Sequence, residues 1–206
     1  MSPREIAEDL NYVRTLAEEG RHAPLLGGSF LMFWGALNAL AWGAQWALLN
    51  GYVVAEPTWH FMIVWAVYGV IAGVGSALLT GRVKDLPGQS SLGNRVERAA
   101  WAGAGIGTGA VVIGAIGHMM VTRETSSPDV IMPAAYALYG AALLVTSIVS
   151  QEKWLSGFAV LSFLVSVVLG IFLSAPWFYL AGAVASLVVL LTPGILMLRK
   201  EPSTTV

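Results

Sequence analysis

The chain alternates between long uncharged stretches and short polar segments. Asp, Glu, Lys and Arg are absent from residues 23–55, 57–81, 99–122, 130–150 and 154–198. A helix needs about 20 apolar residues to cross the hydrocarbon core of a bilayer, so each stretch predicts a transmembrane span. The last stretch is long enough for two spans, divided at Ser174-Ala175-Pro176. The pattern predicts an all-α membrane protein with six spans, at about 25–49, 57–80, 99–122, 130–150, 154–174 and 176–198.

The third predicted span is rich in glycine. On a helical wheel Gly103, Gly107, Gly114 and Gly117 fall on one face, with Gly105 and Gly109 on the opposite face. Small residues at this spacing let helix backbones approach closely in lipid. We therefore expect this span to lie in the middle of the bundle, with the first four glycines as helix-packing positions.

The same span also imitates a dinucleotide-binding fingerprint through Gly105, Gly107 and Ala110. That motif requires a preceding strand and a loop that faces water. An uncharged transmembrane stretch offers neither, so the packing interpretation is preferred.

The first 22 residues predict a soluble helix that precedes the bundle. Ser2 and Glu5 form a capping box around Pro3, and Gly20 is a natural end. The apolar positions form one narrow stripe, made of Ile6, Leu10, Val13 and Ala17. Since the polar faces are acidic, we do not expect the helix to lie on an anionic membrane surface. The stripe either packs beneath the bundle or binds a partner protein.

Positive charge is distributed very unevenly between the two ends of the predicted spans. Ten of the eleven Lys and Arg residues fall on the side that holds both termini, and Arg123 alone falls on the other. The positive-inside rule predicts that both termini are cytoplasmic. The first 22 residues lack the apolar core of a signal peptide. We expect a multi-pass protein of a bacterial inner membrane, with a short cytoplasmic tail at 199–206.

Two of the predicted hairpins resemble each other in sequence. The pentapeptide Trp65-Ala-Val-Tyr-Gly69 in the second span matches Tyr136-Ala-Leu-Tyr-Gly140 in the fourth, at the same distance from a proline. The sixth span gives a looser match. We therefore expect three helical hairpins in the same orientation.

Composition limits the chemistry that the protein can perform. Hydrophobic residues make up 56% of the chain and charged residues 11%, the net charge is −1, and cysteine is absent. A basic nucleic-acid-binding face and thiolate sites are thereby excluded. Without charged residues inside the spans, a proton-coupled or ion-coupled pump is disfavoured. Nothing indicates a cofactor or a catalytic residue, so we expect a protein that is not an enzyme.

Asn38 and Gln45 are the amides of the first span and share one face of it. A buried amide is costly unless it is hydrogen-bonded, so both should point into the bundle. They either fix the helices by interhelical hydrogen bonds or line a small polar cavity.

A copper site at the outer rim is a further hypothesis. His60, His118, Met62, Met119, Met120 and Met132 fall at similar depth, and imidazole with thioether suits copper(I). Their spacing forces no convergence, so no metal is expected.

These observations favour a non-enzymatic accessory or regulatory membrane protein that recruits a cytoplasmic partner through its N-terminal helix. The alternative is a passive channel or carrier for a small uncharged solute, lined by Asn38 and Gln45. We expect the protein to lie in a lipid bilayer. The sequence does not decide whether it also forms a homo-oligomer.

Overall fold

The structure, a computed structural model, describes residues 25–52 and 59–200, which are helical apart from turns. The helices, in chain order, are α1 (Gly28–Leu49), α2 (Trp59–Lys84), α3 (Leu92–Thr122), α4 (Ile131–Ser150), α5 (Lys153–Ile171) and α6 (Phe178–Leu198). A short 3-10 turn (Ser127–Val130) leads directly into α4. Within the described ranges there is no strand, so this is an all-α protein.

Five of the helices, α2 to α6, are long and apolar enough to cross a membrane. The chain thus has the character of a multi-pass membrane protein. α1 is also uncharged and spans 22 residues, but it carries the amides of Asn38 and Gln45 and is not among these five.

The helices form two groups of three. α1 packs against α6 on one side and α2 on the other, whereas α4 packs against α5 and α3. The groups meet where side chains of α4 reach α1 and α6. α5 and α6 scarcely touch although a short turn joins them, so they do not form the closely packed third hairpin that the sequence suggests. α6 packs on α1 instead.

Glycines explain why α6 lies so close to α1. A Cβ at Gly35 would overlap the Leu191 backbone and lie 2.9 Å from its Cα atom, and one at Gly194 would lie 2.9 Å from the carbonyl oxygen of Gly28. Only residues without a side chain allow this approach. Leu191 ends a π-helical turn that immediately precedes Thr192 and Pro193, where the missing N–H and the proline ring disturb regular α-helical bonding.

The prediction that the third span is the central helix is wrong for the single chain. Among the described residues α3 packs mainly on α4, and a Cβ added at Gly103, Gly114 or Gly117 would meet none of them within 4 Å. Of the four predicted packing positions, only Gly107 faces a neighbour in the described part of the chain, since its Cβ would lie 3.0 Å from Leu138. A small-residue pattern shows where a close approach is possible, but it does not show which helix makes it.

The start of α3 is joined to the start of α1. Ser91 caps α3 by accepting from the backbone N–H of Asn94. The Asn94 side chain then accepts from the backbone N–H of Leu26 at 2.9 Å. Glu97 is buried, and its carboxylate lies against Gly27, where the positive end of the α1 dipole favours a negative charge.

Candidate functional site

Asn38 lies at the centre of a polar site between the two groups of helices. Its side chain is 4% exposed. The Tyr68 hydroxyl of α2 donates to Asn38 Oδ1 at 2.7 Å, and Asn38 Nδ2 donates to the Tyr139 hydroxyl of α4 at 3.4 Å. One amide therefore holds three helices together, because each of its polar atoms has a partner on a different helix.

The two tyrosines occupy equivalent positions in the matching pentapeptides of α2 and α4. Each one also packs against a tryptophan of the helix that precedes it in the chain. The ring centres of Trp34 and Tyr68 are 6.2 Å apart, and those of Trp101 and Tyr139 are 6.1 Å apart. The sequence match between α2 and α4 thus coincides with a repeated side-chain arrangement that converges on Asn38.

Gln45 belongs to a second polar group nearer the other end of α1. Its Oε1 accepts from the indole N–H of Trp65 at 2.7 Å. The Trp65 ring packs on Trp42 at 4.6 Å, and Trp42 stacks on Tyr179 of α6 at 5.8 Å. The Gln45 amide is thus hydrogen-bonded within a layer of aromatic rings.

The Tyr179 hydroxyl connects this layer to a buried carboxylate. It donates to Asp129 Oδ1, and Ser174 donates to Asp129 Oδ2 at 2.5 Å. Ser174 has a left-handed backbone conformation, with φ of 61°, at the turn between α5 and α6. Asp129 thus anchors the start of α4 to this turn through two charge-assisted hydrogen bonds.

Tyr136 provides the remaining polar link, between α4 and α6. Its hydroxyl lies 2.6 Å from the carbonyl oxygen of Gly182 and 2.7 Å from the Ser186 hydroxyl. Ser162 of α5 donates to the carbonyl oxygen of Tyr136 at 2.7 Å. These serines bond to backbone or to a neighbouring helix, and the described contacts give none of them a histidine or lysine base.

An ion pair joins the end of α6 to the start of α5. Lys200 lies 2.6 Å from Glu152 Oε1, and the Trp154 indole N–H donates to Glu152 Oε2 at 2.6 Å. The hydrogen bond from Lys200, with a smaller contribution from Trp154, lowers the pKa of Glu152 below its ordinary value. The pair ties the end of α6 to the start of α5 even though the helices scarcely touch between their ends.

The residues singled out from the sequence have different positions in the structure. Asn38 and Gln45 both point into the bundle, and both are hydrogen-bonded to aromatic side chains. The candidate partner-binding residues of the N-terminal helix lie outside the described residues; they are Ile6, Leu10, Val13 and Ala17.

The residues considered for copper do not form one cluster. Met132 is 1% exposed and packs in the core, whereas Met62 is 75% exposed. His118 Nδ1 lies 3.0 Å from the Ser127 hydroxyl. Among the described residues there is no group of three His, Cys, Asp or Glu side chains placed to hold a metal ion.

Sequence reasoning missed the tyrosines and Asp129 as members of the polar site. The matching pentapeptides were visible, but they indicated a repeat and not a convergence on Asn38. Asp129 follows Pro128 at the edge of a span, a position that ordinarily suggests a solvated turn. Its partners lie 45 and 50 residues away, so local sequence carries no sign of them.

Comparison with protein-family models, with curated proteins and with solved structures finds no match for this chain.

Proposed function

We propose that this chain is a non-enzymatic accessory or regulatory protein of the membrane, which recruits a cytoplasmic partner through its N-terminal helix. In this proposal the bundle is a rigid scaffold and the first 22 residues carry the interaction. The observation that supports it most is the polar site, in which amide, hydroxyl and carboxylate groups bond to one another. Such a site fixes helices in place.

The contacts of Asn38 and Gln45 favour this proposal over a passive channel or carrier. A solute path needs polar groups that are free to exchange bonds with the solute. Both amides are instead held by aromatic donors at 2.7 Å, from Tyr68 and Trp65. The grooves between α5 and α6 are apolar and lie away from both amides.

We further propose six spans with both termini in the cytoplasm of a bacterial cell. α1 is about 33 Å long at 1.5 Å per residue, which matches a hydrocarbon core of about 30 Å. Its polar side chains face α2 and α4, so it can be surrounded by lipid and protein at little cost. Reporter fusions after Glu201 and within residues 82–98 should both report cytoplasm; a signal from the opposite side at either position rejects this topology.

Partner recruitment is tested by pull-down from native membranes. Co-purifying proteins are compared between the full chain and a variant that lacks residues 1–20, at equal amounts of folded bundle. A protein that is lost with the N-terminal segment supports the proposal.

Substitutions make the test specific to the apolar stripe. Leu10→Asp with Val13→Asp should lose the same protein, because two charges then lie in the binding surface. Asn11→Asp with Thr15→Asp adds the same charge on the opposite face of the expected helix and should retain it. An unchanged set of co-purifying proteins in every variant contradicts the proposal.

A further inference from the structure

The segment between α2 and α3 carries an exposed cationic surface. Arg82 and Lys84 lie in the last turn of α2, and Arg95 lies near the start of α3; all three are exposed. Asp85 is an exposed carboxylate in the same segment, but among the described residues none of the three cations forms a salt bridge with it or with another carboxylate.

The backbone that presents these cations is an ordered turn. Backbone hydrogen bonds run from Leu86 to Val83 at 3.1 Å and from Ser91 to Gly88 at 2.9 Å. The Arg98 guanidinium folds over the turn and donates to the Gln89 side chain at 3.1 Å and to its carbonyl oxygen at 3.0 Å. The backbone that carries the cations is therefore held in place, which lowers the entropic cost of binding.

Helix stability accounts for only part of this charge pattern. Cations at the end of α2 are favoured by the negative end of its dipole, which explains Arg82 and Lys84. Arg95 lies near the positive end of α3, where a cation is disfavoured. Glu97 does not face it from the surface, because that carboxylate is buried against Gly27. An anion bound outside the helices would stabilise Arg95 there.

Apolar surface adjoins the cations on both helices. α2 and α3 scarcely touch each other, and Leu78, Leu92 and Ile106 are exposed. A ligand that binds here meets positive charge at the membrane boundary and hydrocarbon along the helices. An anionic phospholipid has both complementary parts, its headgroup for the cations and its acyl chains for the helix faces.

We propose that Arg82, Lys84 and Arg95 bind anionic phospholipids through their headgroups, and that the acyl chains lie along the exposed apolar faces of α2 and α3. The proposal does not rest on a role of the N-terminal helix or on a partner protein. It requires only that this loop lies at the headgroup level of a membrane.

The test is lipid titration of the purified full-length protein, with binding measured by native mass spectrometry. The probes are dioleoyl phosphatidylglycerol, dioleoyl phosphatidylcholine and glycerol 3-phosphate, the last of which carries the anion without acyl chains. The wild type should bind phosphatidylglycerol in clear preference to both other probes. Equal binding of phosphatidylcholine, or equal binding of glycerol 3-phosphate, overturns the proposal.

The variant Arg82→Gln/Lys84→Gln/Arg95→Gln should lose about a hundredfold in affinity for phosphatidylglycerol, given the usual contribution of each surface cation. The matched control removes the same charge from exposed positions elsewhere, as Arg123→Gln/Lys153→Gln/Arg199→Gln. It should bind as the wild type does. A control that loses as much affinity as the loop variant, or a loop variant that loses none, refutes the assigned site. Melting temperatures of both variants verify that the bundle is folded.

Discussion

Gly35→Ala tests whether close backbone contact holds α1 against α6. The new methyl group would overlap the backbone of Leu191, with the Leu191 Cα atom 2.9 Å away. Backbone atoms cannot rotate aside as the end of a long side chain can, so the two helices must separate. Overpacking of this kind lowers the free energy of unfolding by about 1–3 kcal/mol. Because the new methyl group contacts backbone atoms, we expect a loss near the upper end of this range.

A second effect opposes the first one. Alanine is a better helix former than glycine by about 1 kcal/mol. The expected net loss at Gly35 is therefore about 2 kcal/mol. For a chain of this size, that corresponds to a melting temperature lower by about 4–8 °C.

Gly114→Ala is the matched control, because no described residue lies within 4 Å of its added Cβ. This variant should keep or slightly raise the melting temperature, since only the gain in helix propensity remains. Both variants are measured in the same detergent by circular dichroism. If Gly35→Ala melts as high as Gly114→Ala, the close packing of α1 on α6 is wrong. A large loss in Gly114→Ala shows instead that the open face of α3 packs on another chain.

Three further predictions concern the polar groups. Asn38→Leu should lower the free energy of unfolding by about 1–2 kcal/mol. In a double-mutant cycle with Tyr68→Phe the two losses should not add, and additive losses contradict the hydrogen bond between the two side chains. Tyr179→Phe should lower the free energy of unfolding by about 1–3 kcal/mol, because the buried Asp129 carboxylate loses a hydrogen-bond donor. An unchanged melting temperature argues against the hydrogen bond between Tyr179 and Asp129. Since the pKa of Glu152 is lowered in the folded state, its stabilising contribution is present above the unfolded pKa and is lost as the pH falls through the folded pKa. Melting temperatures measured from pH 7 to pH 3 should therefore fall less steeply for Glu152→Gln than for the wild type.

The sequence predicts the helices well because the signal for each helix is local. The uncharged stretch that begins at residue 99 contains most of α3, and α3 ends at Thr122, where the stretch ends. α3 begins earlier than the stretch, at Leu92, because Ser91 supplies the cap within the polar segment. Charge marks the membrane boundary, whereas capping marks the helix end, and the two need not coincide.

Helix pairing depends on information that the local pattern does not contain. The rule that glycine permits close helix packing is correct for Gly35 and Gly194, which bring α1 and α6 together. The glycine face of α3 has the same spacing and meets no described helix at three of its four positions. What separates the two cases is the shape of the opposing surface, which comes from residues more than 150 positions away.

The hydrogen bonds of α1 explain why a helix with two amides occupies the most contacted place in its group. Lipid disfavours an amide that lacks a partner, so a helix with Asn38 and Gln45 is stable only where other helices supply donors and acceptors. Tyr68 and Tyr139 supply them at Asn38, and Trp65 supplies one at Gln45. The two amides of α1 and its central packing are therefore linked, because the amides need the donors and acceptors that neighbouring helices supply. A polar residue in an otherwise uncharged span is better evidence of a central helix than a glycine stripe, because the amide requires neighbours and the glycine only permits them.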